Sequence, residues 1–231
     1  RVVLRSPNWL GDACMAEPAV RAIKRGRPDL ELTILAPAKL AEMWRAVPEV
    51  DAVIGREGKE SVLAVARKLR AAGPFDVGIL FPNSPRVALE MKLGGVDRVI
   101  GYATAGRGML MDQVVRRKDS IGPPRHHVEH YLQIAHILGA DCTAKDLFDP
   151  LPGRDATMAG DGPLRLGLCA GAEYGPAKRW PLEKFSEMAK LVGARHGKRV
   201  EWVLFGAPGE KAMGESLAAQ LGGNCHNLVG R

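Results

Sequence analysis

The sequence is 231 residues long, carries a formal net charge of +7 and is 46% hydrophobic. This length exceeds the usual size of one domain, so one large or two smaller domains are expected. No stretch reaches the roughly 18 unbroken apolar residues that a membrane helix needs, and the first residues show neither a basic n-region nor an apolar h-region. The composition therefore predicts a soluble intracellular protein.

The net charge and the spacing of the cysteines indicate which partners and which kinds of site to expect. Only 5% of the residues are aromatic and no basic run is interleaved with stacking aromatics, which disfavours nucleic-acid binding. The positive charge favours anionic partners such as phosphorylated sugars, nucleotides or lipid headgroups. The cysteines lie far apart without a CxxC pair, which disfavours a zinc site and favours reduced thiols in a cytosol; they are Cys14, Cys142, Cys169 and Cys225.

Short apolar runs alternate with amphipathic stretches in the first part of the chain. This alternation predicts an α/β fold with a parallel sheet. The predicted strands cover residues 2–4, 32–35, 52–54, 77–81 and 98–102. The predicted helices cover residues 13–24, 38–46, 60–72, 85–93 and 127–138. Such sheets bind ligands outside the carboxyl ends of their strands, which makes candidates of residues 8–12, 82–84 and 101–108.

A linker rich in Asp, Pro and Gly is predicted over residues 141–163. After it the alternation resumes, with strands at 164–169 and 200–205, helices at 182–196 and 210–221, and a further strand beginning within 227–231. The domains are therefore predicted at 1–150 and 151–231. The second domain has about two βα repeats, which is few for an independent fold. We therefore expect the native chain to continue past Arg231.

The turn after the first strand lacks the glycine motifs that hold phosphate. It reads SPNWLGD, with neither GxGxxG nor GxxxxGK[ST], which disfavours a dinucleotide oxidoreductase and a P-loop NTPase. Asp12 has two interpretations in this turn. On spacing alone the slightly favoured one is a helix N-cap, with Gly11 permitting the turn. The other is a general base at the carboxyl edge of the sheet.

The segment AGAEYGPAKRWP, after the first strand of the second domain, is the most informative one. Lys178 and Arg179 stand just before a helix whose first turn holds Pro181. Cationic side chains and free amide groups at a helix N-terminus form an anion site. We favour a phosphate site over the alternative, a basic surface loop in which Trp180 is a packing anchor.

Glu210 follows the next strand, in the turn FGAPGE. Its carboxylate either interacts favourably with the dipole at the first turn of a helix or accepts hydrogen bonds from ribose hydroxyls. The spacing leaves both interpretations open.

Two basic clusters, residues 116–118 and 125–127, stand before the helix predicted at 127–138. A solvated loop is the favoured interpretation for both, and contact with an acidic acceptor or anionic membrane headgroups is the alternative. His126 and His127 are adjacent, so on a helix they would face different directions and make a poor metal pair. No metal site is predicted.

Four segments carry a resemblance to a known family: SPNWLGDACMAEPAVRAIK, ILFPNSPRVALEMKLGGVDRVIGY, GAEYGPAKRWPLEKF and LFGAPGE. With them the chain resembles the ADP-heptose:lipopolysaccharide heptosyltransferases of glycosyltransferase family nine, most closely the heptosyltransferase II subfamily. The resemblance covers essentially the whole chain, and GPAKRWP with FPNS is specific rather than compositional.

This resemblance implies a GT-B architecture of two Rossmann-like domains with parallel sheets that face each other across a cleft. The resemblance also leads us to expect that the second domain is truncated here, because the family's later Asp-Thr-Gly loop has no counterpart in the sequence. The donor site is therefore expected to be incomplete. The acceptor is expected to bind mainly to the first domain and the nucleotide donor to the second.

The resemblance also assigns roles to single residues. Asp12 matches the proposed catalytic base, Lys178 the lysine that contacts the donor phosphates, and Glu210 the acid near the donor nucleoside. The backbone amides that align with the loop bordering the diphosphate are those of Ala170, Gly171 and Ala172. The acceptor-binding candidates in the first domain are Asn8, Trp9, Asn83 and Ser84.

The implied reaction inverts the anomeric centre and uses ADP-heptose as donor, with no cofactor and no metal. The implied acceptor is the heptosyl-Kdo2-lipid A inner core, which suggests a cytoplasmic protein that associates peripherally with the inner membrane. Nucleic acid is not an expected partner. Two alternatives stay open: a relative with another heptose acceptor or sugar donor, and a catalytically silent nucleotide-binding module.

Overall fold

The computed structural model describes residues 1–104, 106–116, 126–143, 145–149, 162–172, 176–196 and 200–231. The chain divides into two compact units, Arg1–Arg154 and Asp155–Arg231. Some features of the sequence lie outside the described residues, namely the basic residues 117, 118 and 125, the loop 173–175 and the linker residues 150–161.

The first unit is built around a six-stranded parallel sheet. Its strands are β1 (Val2–Arg5), β2 (Leu32–Pro37), β3 (Ala52–Arg56), β4 (Val77–Leu80), β5 (Arg98–Tyr102) and β6 (Gln113–Val115). Its helices are α1 (Leu10–Gly26), α2 (Ala41–Arg45), α3 (Val62–Ala72), α4 (Pro85–Leu93) and α5 (Val128–Ile137). The strand order β3-β2-β1-β4-β5-β6 changes direction between β1 and β4, the point at which such sheets open a ligand crevice.

Both faces of this sheet are buried. In β1, Val2 and Leu4 pack in one apolar cluster with residues of α1 and α5, while Val3 packs in another with residues of α3 and α4. This division follows from the strand geometry, because successive side chains point to opposite faces. A parallel sheet covered on both faces needs continuous apolar strands, and VVL in β1 and LTIL in β2 are such runs.

The second unit contains a three-stranded parallel sheet in the order β7 (Leu164–Leu168), β8 (Val200–Leu204), β9 (Cys225–Asn227). Its helices are α6 (Leu182–His196) and α7 (Lys211–Leu221). Trp202 of β8 packs in a cluster with Ala189 of α6, and Leu204 packs in a cluster with Leu217 of α7. The alternation of strand and helix therefore places the turns after β7 and β8 at the same edge of the sheet.

The predicted α/β class with parallel sheets is confirmed, and the differences are local. Helix α1 begins at Leu10 rather than residue 13, because its first residues are exposed and give no apolar signal. Strand β6 was not predicted, and the last strand ends at Asn227, where a strand was expected to begin. Helix α7 begins at Lys211, with Glu210 as its N-cap residue. Over the described ranges, no helix combines the length and hydropathy needed to span a bilayer.

Candidate functional site

A cavity of about 220 Å³ opens at the carboxyl ends of β1 and β4, where the strand order of the first unit changes direction. Four parts of the fold line it: the loop after β1 with the first turn of α1, the loop after β4, the end of β5, and the start of α5. The lining residues are Pro7, Asn8, Trp9, Asp12, Phe81, Pro82, Asn83, Tyr102, His127, His130 and Tyr131. The polar ones among them supply both hydrogen-bond donors and acceptors.

The loop after β1 is held by a buried arginine. Arg5 is 1% exposed, and its guanidinium donates to the carbonyl oxygen of Ser6 at 2.7 Å. The Ser6 hydroxyl in turn accepts a hydrogen bond from the indole N–H of the fully buried Trp44 at 2.8 Å. Burial, and to a lesser extent the charge of Arg56, lower the pKa of Arg5 to about 10, against the opposing effect of Glu90 at 3.4 Å. Arg5 is therefore still charged at neutral pH.

Asn8 is oriented by two guanidinium groups. Its Oδ1 accepts hydrogen bonds from Arg5 at 3.2 Å and from Arg56 at 3.1 Å. Two donors on one oxygen fix which end of the carboxamide is the acceptor. The NH2 end is therefore left as a donor at the cavity. Trp9, 41% exposed, stands next to it with the Lys39 ammonium 4.8 Å from its ring centroid.

Asp12 lies within the first turn of α1 and is not its N-cap. The N-cap residue is Trp9, whose extended backbone (φ −111°, ψ 143°) ends the preceding loop and whose side chain makes no capping hydrogen bond. The N-cap interpretation of Asp12 is therefore wrong. The carboxylate is about a third exposed and borders the cavity, and the amide groups at the start of a helix favour a negative charge there.

Helix α5 brings a histidine and a tyrosine to the same carboxylate. Nδ1 of His127 lies 3.8 Å from Oδ1 of Asp12. The His127 ring stacks on Tyr131 at a centroid distance of 5.2 Å and meets His130 edge-on at 5.5 Å. Burial raises the pKa of Tyr131 to about 12, and the charge of Asp12 adds to this effect. His127 is half exposed in the turn before α5 and lines the cavity, and Tyr131 is a protonated donor at neutral pH.

The loop after β4 is fastened by a second buried arginine. Arg107 is 1% exposed, and its guanidinium donates to the carbonyl oxygens of Tyr102, Pro82 and Ser84. It also approaches Oδ1 of Asn83 at 3.4 Å. Burial lowers the pKa of Arg107. Asn83 lines the cavity, whereas Ser84 is the N-cap residue of α4 and is not among the lining residues.

Several residues of this site were not predicted from the sequence. Arg5 directly follows an apolar strand, and a charge in that position is a signal that could have been used. Arg107 lay within a candidate segment without being singled out. Tyr131 and His130 lie in a helix whose pattern predicts packing, and no local signal points them at a cavity.

In the second unit, the loop after β7 is closed by Arg179. Ala170 is 6% exposed, and the carbonyl oxygen of Ala172 accepts hydrogen bonds from Arg179 Nε at 3.3 Å and Nη2 at 3.0 Å. Arg179 thus ties the end of this loop to the residues that precede α6. Ala172, the last of the three predicted phosphate-loop residues, is therefore hydrogen-bonded to one member of the basic pair.

Glu210 contacts Gly171. One carboxylate oxygen, Oε2, accepts a hydrogen bond from the backbone N–H of Ala207 at 2.8 Å. A Cβ atom built on Gly171 would overlap both carboxylate oxygens of Glu210. Oε1 makes no hydrogen bond to the residues that the structure describes. The structure therefore supports a helix-terminal role for Oε2 and leaves Oε1 available for a ligand.

Lys178 ends a short 3-10 helix, Pro176–Lys178, and is exposed. Helix α6 begins a few residues later, and the carbonyl oxygen of Pro181 accepts from the N–H of Phe185 at 3.4 Å. Trp180 packs edge-on against Phe185 with ring centroids 5.0 Å apart. The basic pair thus precedes the positive end of a helix, where free amide groups favour an anion.

Metal ligands do not cluster in the part of the chain that the structure describes. No group of three or more His, Cys, Asp or Glu side chains there is arranged to hold an ion. Among the described residues, the basic pair Lys178 and Arg179 and the N-termini of α1 and α6 are groups that can neutralise an anionic ligand.

Comparisons with known proteins agree on one family. The model of glycosyltransferase family 9 (heptosyltransferase) matches residues 62–231. Lipopolysaccharide heptosyltransferase 2 of Salmonella typhimurium is 30% identical to the chain, over 100% of this chain and 71% of that protein.

Two solved structures match the chain over its whole length. The structure of E. coli ADP-heptose lps heptosyltransferase II is 27% identical, with a TM-score of 0.78 and coverage of 72% of that chain. A family 9 glycosyl transferase from Veillonella parvula is 21% identical, with a TM-score of 0.83 and coverage of 70%. The predicted GT-B class, with two Rossmann-like units of which the second is shortened, agrees with these matches.

Proposed function

This chain belongs to glycosyltransferase family 9, the heptosyltransferases, and we propose on that basis that it transfers L-glycero-D-manno-heptose from ADP-heptose to the lipopolysaccharide inner core. The similar E. coli protein is named an ADP-heptose lps heptosyltransferase II. The acceptor in this proposal is heptosyl-Kdo2-lipid A, and the transfer inverts the anomeric centre.

The observation that carries the proposal is the position of Asp12. Its carboxylate borders a cavity at the point where the strand order changes direction, and it lies in the first turn of α1. A carboxylate in such a crevice is able to take the proton of an acceptor hydroxyl. General-base assistance of this kind contributes about 10²–10⁴-fold to a rate.

The proposed reaction is a single displacement. The acceptor oxygen forms a bond to C1 of the heptose while the bond from C1 to the phosphate oxygen breaks. ADP leaves from the opposite face, and the proton of the acceptor hydroxyl moves to Asp12. A β-linked donor therefore gives an α-linked product.

The donor contacts in this proposal come from the second unit. Lys178, with the amide groups at the start of α6, stabilises the charge that grows on the diphosphate, and fixed groups of this kind often supply the largest electrostatic term. The amides of residues 170–172 border the same diphosphate. Glu210 accepts hydrogen bonds from the ribose through Oε1, which has no protein partner among the described residues. The contact between Gly171 and Glu210 supports this assignment.

The acceptor contacts in this proposal come from the first unit. Asn8 offers its NH2 group beside the charges of Arg5 and Arg56, which suits an anionic inner core. The other acceptor-binding candidates of the first unit remain Trp9, Asn83 and Ser84. The reaction in this proposal needs no cofactor and no metal, and a lipid-anchored acceptor calls for peripheral contact with the inner membrane from the cytoplasm.

Mass analysis of the product tests the proposal. The full-length protein is incubated with ADP-heptose and heptosyl-Kdo2-lipid A, and the expected product is heavier by one heptose. Asp12→Asn should keep donor affinity and lose transfer, whereas Asp97→Asn, an exposed residue at the amino end of β5, should behave as the unaltered protein. Near-normal turnover of Asp12→Asn would remove Asp12 as the base. Binding of ADP without any transfer would favour a silent nucleotide-binding module.

Titration calorimetry with ADP tests the donor side separately. Lys178→Ala should weaken ADP binding about tenfold, the loss of a charge-assisted contact. Lys190→Ala removes an equal charge from an exposed position of α6 and serves as the control for general electrostatics. Equal ADP affinity in the two variants would exclude Lys178 from the phosphate site.

A further inference from the structure

Tyr131 is a buried residue whose hydroxyl has no partner among the residues that the structure describes. It is 6% exposed, and its hydroxyl makes no hydrogen bond within the described ranges. Tyr102, which lines the same cavity, is a useful contrast. Its hydroxyl lies 2.7 Å from the carbonyl oxygen of His130 and 2.9 Å from Oε1 of Gln133. Of these two hydroxyls at the cavity, that of Tyr102 is therefore bonded within the protein, whereas that of Tyr131 has no such bond to the described residues.

The ring of Tyr131 is fixed on two sides. Its centroid lies 4.8 Å from that of Phe81 and 5.2 Å from that of His127. The hydroxyl is not among the fully buried polar atoms that lack a partner, so it keeps contact with solvent, and the cavity is the space that Tyr131 lines. The ring is therefore held while the hydroxyl is left for something that enters the cavity.

Asp12 and Tyr131 lie at the same cavity. Both line the cavity, and the negative charge of Asp12 helps to raise the pKa of Tyr131, as a charge close to the titrating oxygen does. No hydrogen bond joins the two side chains directly. A small polar group between them would accept a hydrogen bond from the tyrosine and donate one to the carboxylate. A sugar hydroxyl has both capacities.

We propose that the Tyr131 hydroxyl binds the acceptor by donating a hydrogen bond to the sugar hydroxyl whose proton Asp12 takes. This inference rests on the proposed function, because it requires Asp12 to act on a carbohydrate acceptor. Tyr131 holds the reacting oxygen with one lone pair engaged, so that its O–H bond is directed at the carboxylate. The tyrosine stays protonated throughout, and the proton that leaves the acceptor is carried by Asp12 alone.

Tyr131→Phe tests this because it removes the hydroxyl and leaves the ring in place. Acceptor kcat/KM should fall about tenfold, the effect of one lost hydrogen bond to a buried partner. The KM for ADP-heptose and the thermal midpoint should stay as in the unaltered protein. A fall of less than threefold in acceptor kcat/KM overturns the proposal, and a larger fall with unchanged donor KM supports it.

A deoxy acceptor identifies the atom that Tyr131 contacts. The probe is heptosyl-Kdo2-lipid A lacking the hydroxyl that becomes glycosylated, measured as a competitive inhibitor against the intact acceptor. In the unaltered protein, loss of that hydroxyl should weaken binding through two lost hydrogen bonds, one to Tyr131 and one to Asp12. In Tyr131→Phe the penalty should be about tenfold smaller, because only the hydrogen bond to Asp12 is then lost. The same ratio in both proteins overturns the proposal, because the tyrosine would then contact some other atom or none.

The two proposals fail in different ways. Absence of a heptosylated product removes the proposed function itself, and full turnover of Asp12→Asn removes Asp12 as the base on which this inference rests. A transferring enzyme that needs Asp12 but is indifferent to Tyr131→Phe removes only the inference made here. Tyr102→Phe deletes a hydroxyl that is bonded within the protein, so it should lower the thermal midpoint more, and acceptor kcat/KM less, than Tyr131→Phe.

Discussion

Nδ1 of His127 lies 3.8 Å from Oδ1 of Asp12, with the imidazole stacked on Tyr131 and edge-on to His130. The imidazole therefore borders the carboxylate and holds the ring of Tyr131 on one side. We expect His127→Ala to lower acceptor kcat/KM about threefold, because the stacked ring is lost. His127→Phe keeps an aromatic ring in that place and should lose less.

The measurement is kcat/KM for the acceptor. His136→Ala is the control, because His136 is exposed and lies two turns further along α5. Equal acceptor kcat/KM for His127→Ala and the unaltered protein would show that the imidazole does not hold Tyr131 in place.

Asn8→Asp separates the structural from the binding role of the Asn8 side chain. An aspartate keeps the oxygen that accepts from Arg5 and Arg56 and adds charge attraction to both, but it loses the NH2 donor. We expect a thermal midpoint no lower than normal together with an acceptor KM about tenfold higher. Asn8→Ala should lower the midpoint as well as weaken the acceptor. An unchanged acceptor KM in Asn8→Asp would mean that the NH2 group is not used.

The elements of the fold were predictable where the hydrophobic periodicity of the sequence is clear. Strands β4 and β5 and helices α4 and α6 were placed within one residue of their observed ends, because each is a continuous apolar or amphipathic run between turn residues. Strand β6 escaped prediction, since three residues at the edge of a sheet carry little periodicity. The start of α1 escaped it as well, because its N-cap residue is Trp9, which is not a favoured capping residue.

The residues of the candidate site were predictable only where they stand in a recognisable turn between a strand and a helix. Asp12 stands in a turn between a strand and a helix, and Glu210 in a second such turn, so the edge of each sheet could be predicted from the order of elements. His127 and Tyr131 join Asp12 through the packing of α5 on the sheet, more than a hundred residues away along the chain. No spacing in the sequence encodes such a meeting, which depends on tertiary structure.

Glu17 gives the first unit a stability that depends on pH. It is 9% exposed on α1, with Arg21 at 3.5 Å, and Oε1 has no hydrogen-bond partner. Burial raises its pKa to about 7, against the opposing charge of Arg21. The folded state therefore binds this proton more tightly than the unfolded state, so the contribution to stability is full below about pH 4.5 and is lost as pH rises through 7. Glu17→Gln should consequently stabilise the protein at pH 8 by about 3 kcal/mol and have less effect at pH 5.

Thermal midpoints at pH 5 and pH 8 test whether Glu17→Gln stabilises the protein at high pH. Asp112→Asn is the comparison, because it is expected to destabilise the protein at high pH. Hydrogen bonds from Lys92 and from the backbone N–H of Val99 lower the pKa of Asp112, so its contribution is present at high pH and lost as pH falls. The two variants should therefore diverge at pH 8, one above and one below the unaltered protein. A Glu17→Gln midpoint below normal at pH 8 would contradict the raised pKa.

Gly171→Ala should weaken ADP binding through Glu210. A Cβ atom at this position overlaps the Glu210 carboxylate, and the flexible end of the glutamate must move away, which takes Oε1 out of place. We expect ADP affinity to fall about tenfold, as for the loss of a hydrogen bond to a charged group. Gly209→Ala is the matched control, because Gly209 lies beside Glu210 in a short 3-10 helix, Pro208–Glu210, and a Cβ there meets nothing within 4 Å.

A double-variant cycle shows whether the effect passes through the carboxylate. Glu210→Ala should itself weaken ADP binding, since the ribose loses its acceptor. If Gly171→Ala acts only by displacing that carboxylate, the double variant should bind ADP no more weakly than Glu210→Ala alone, because residues in contact are not additive. Additive losses would instead mean that the methyl group disturbs the backbone amides of residues 170–172, and Glu210 would then have no part in the effect. Normal ADP binding by Glu210→Ala would remove the carboxylate from the nucleoside site altogether.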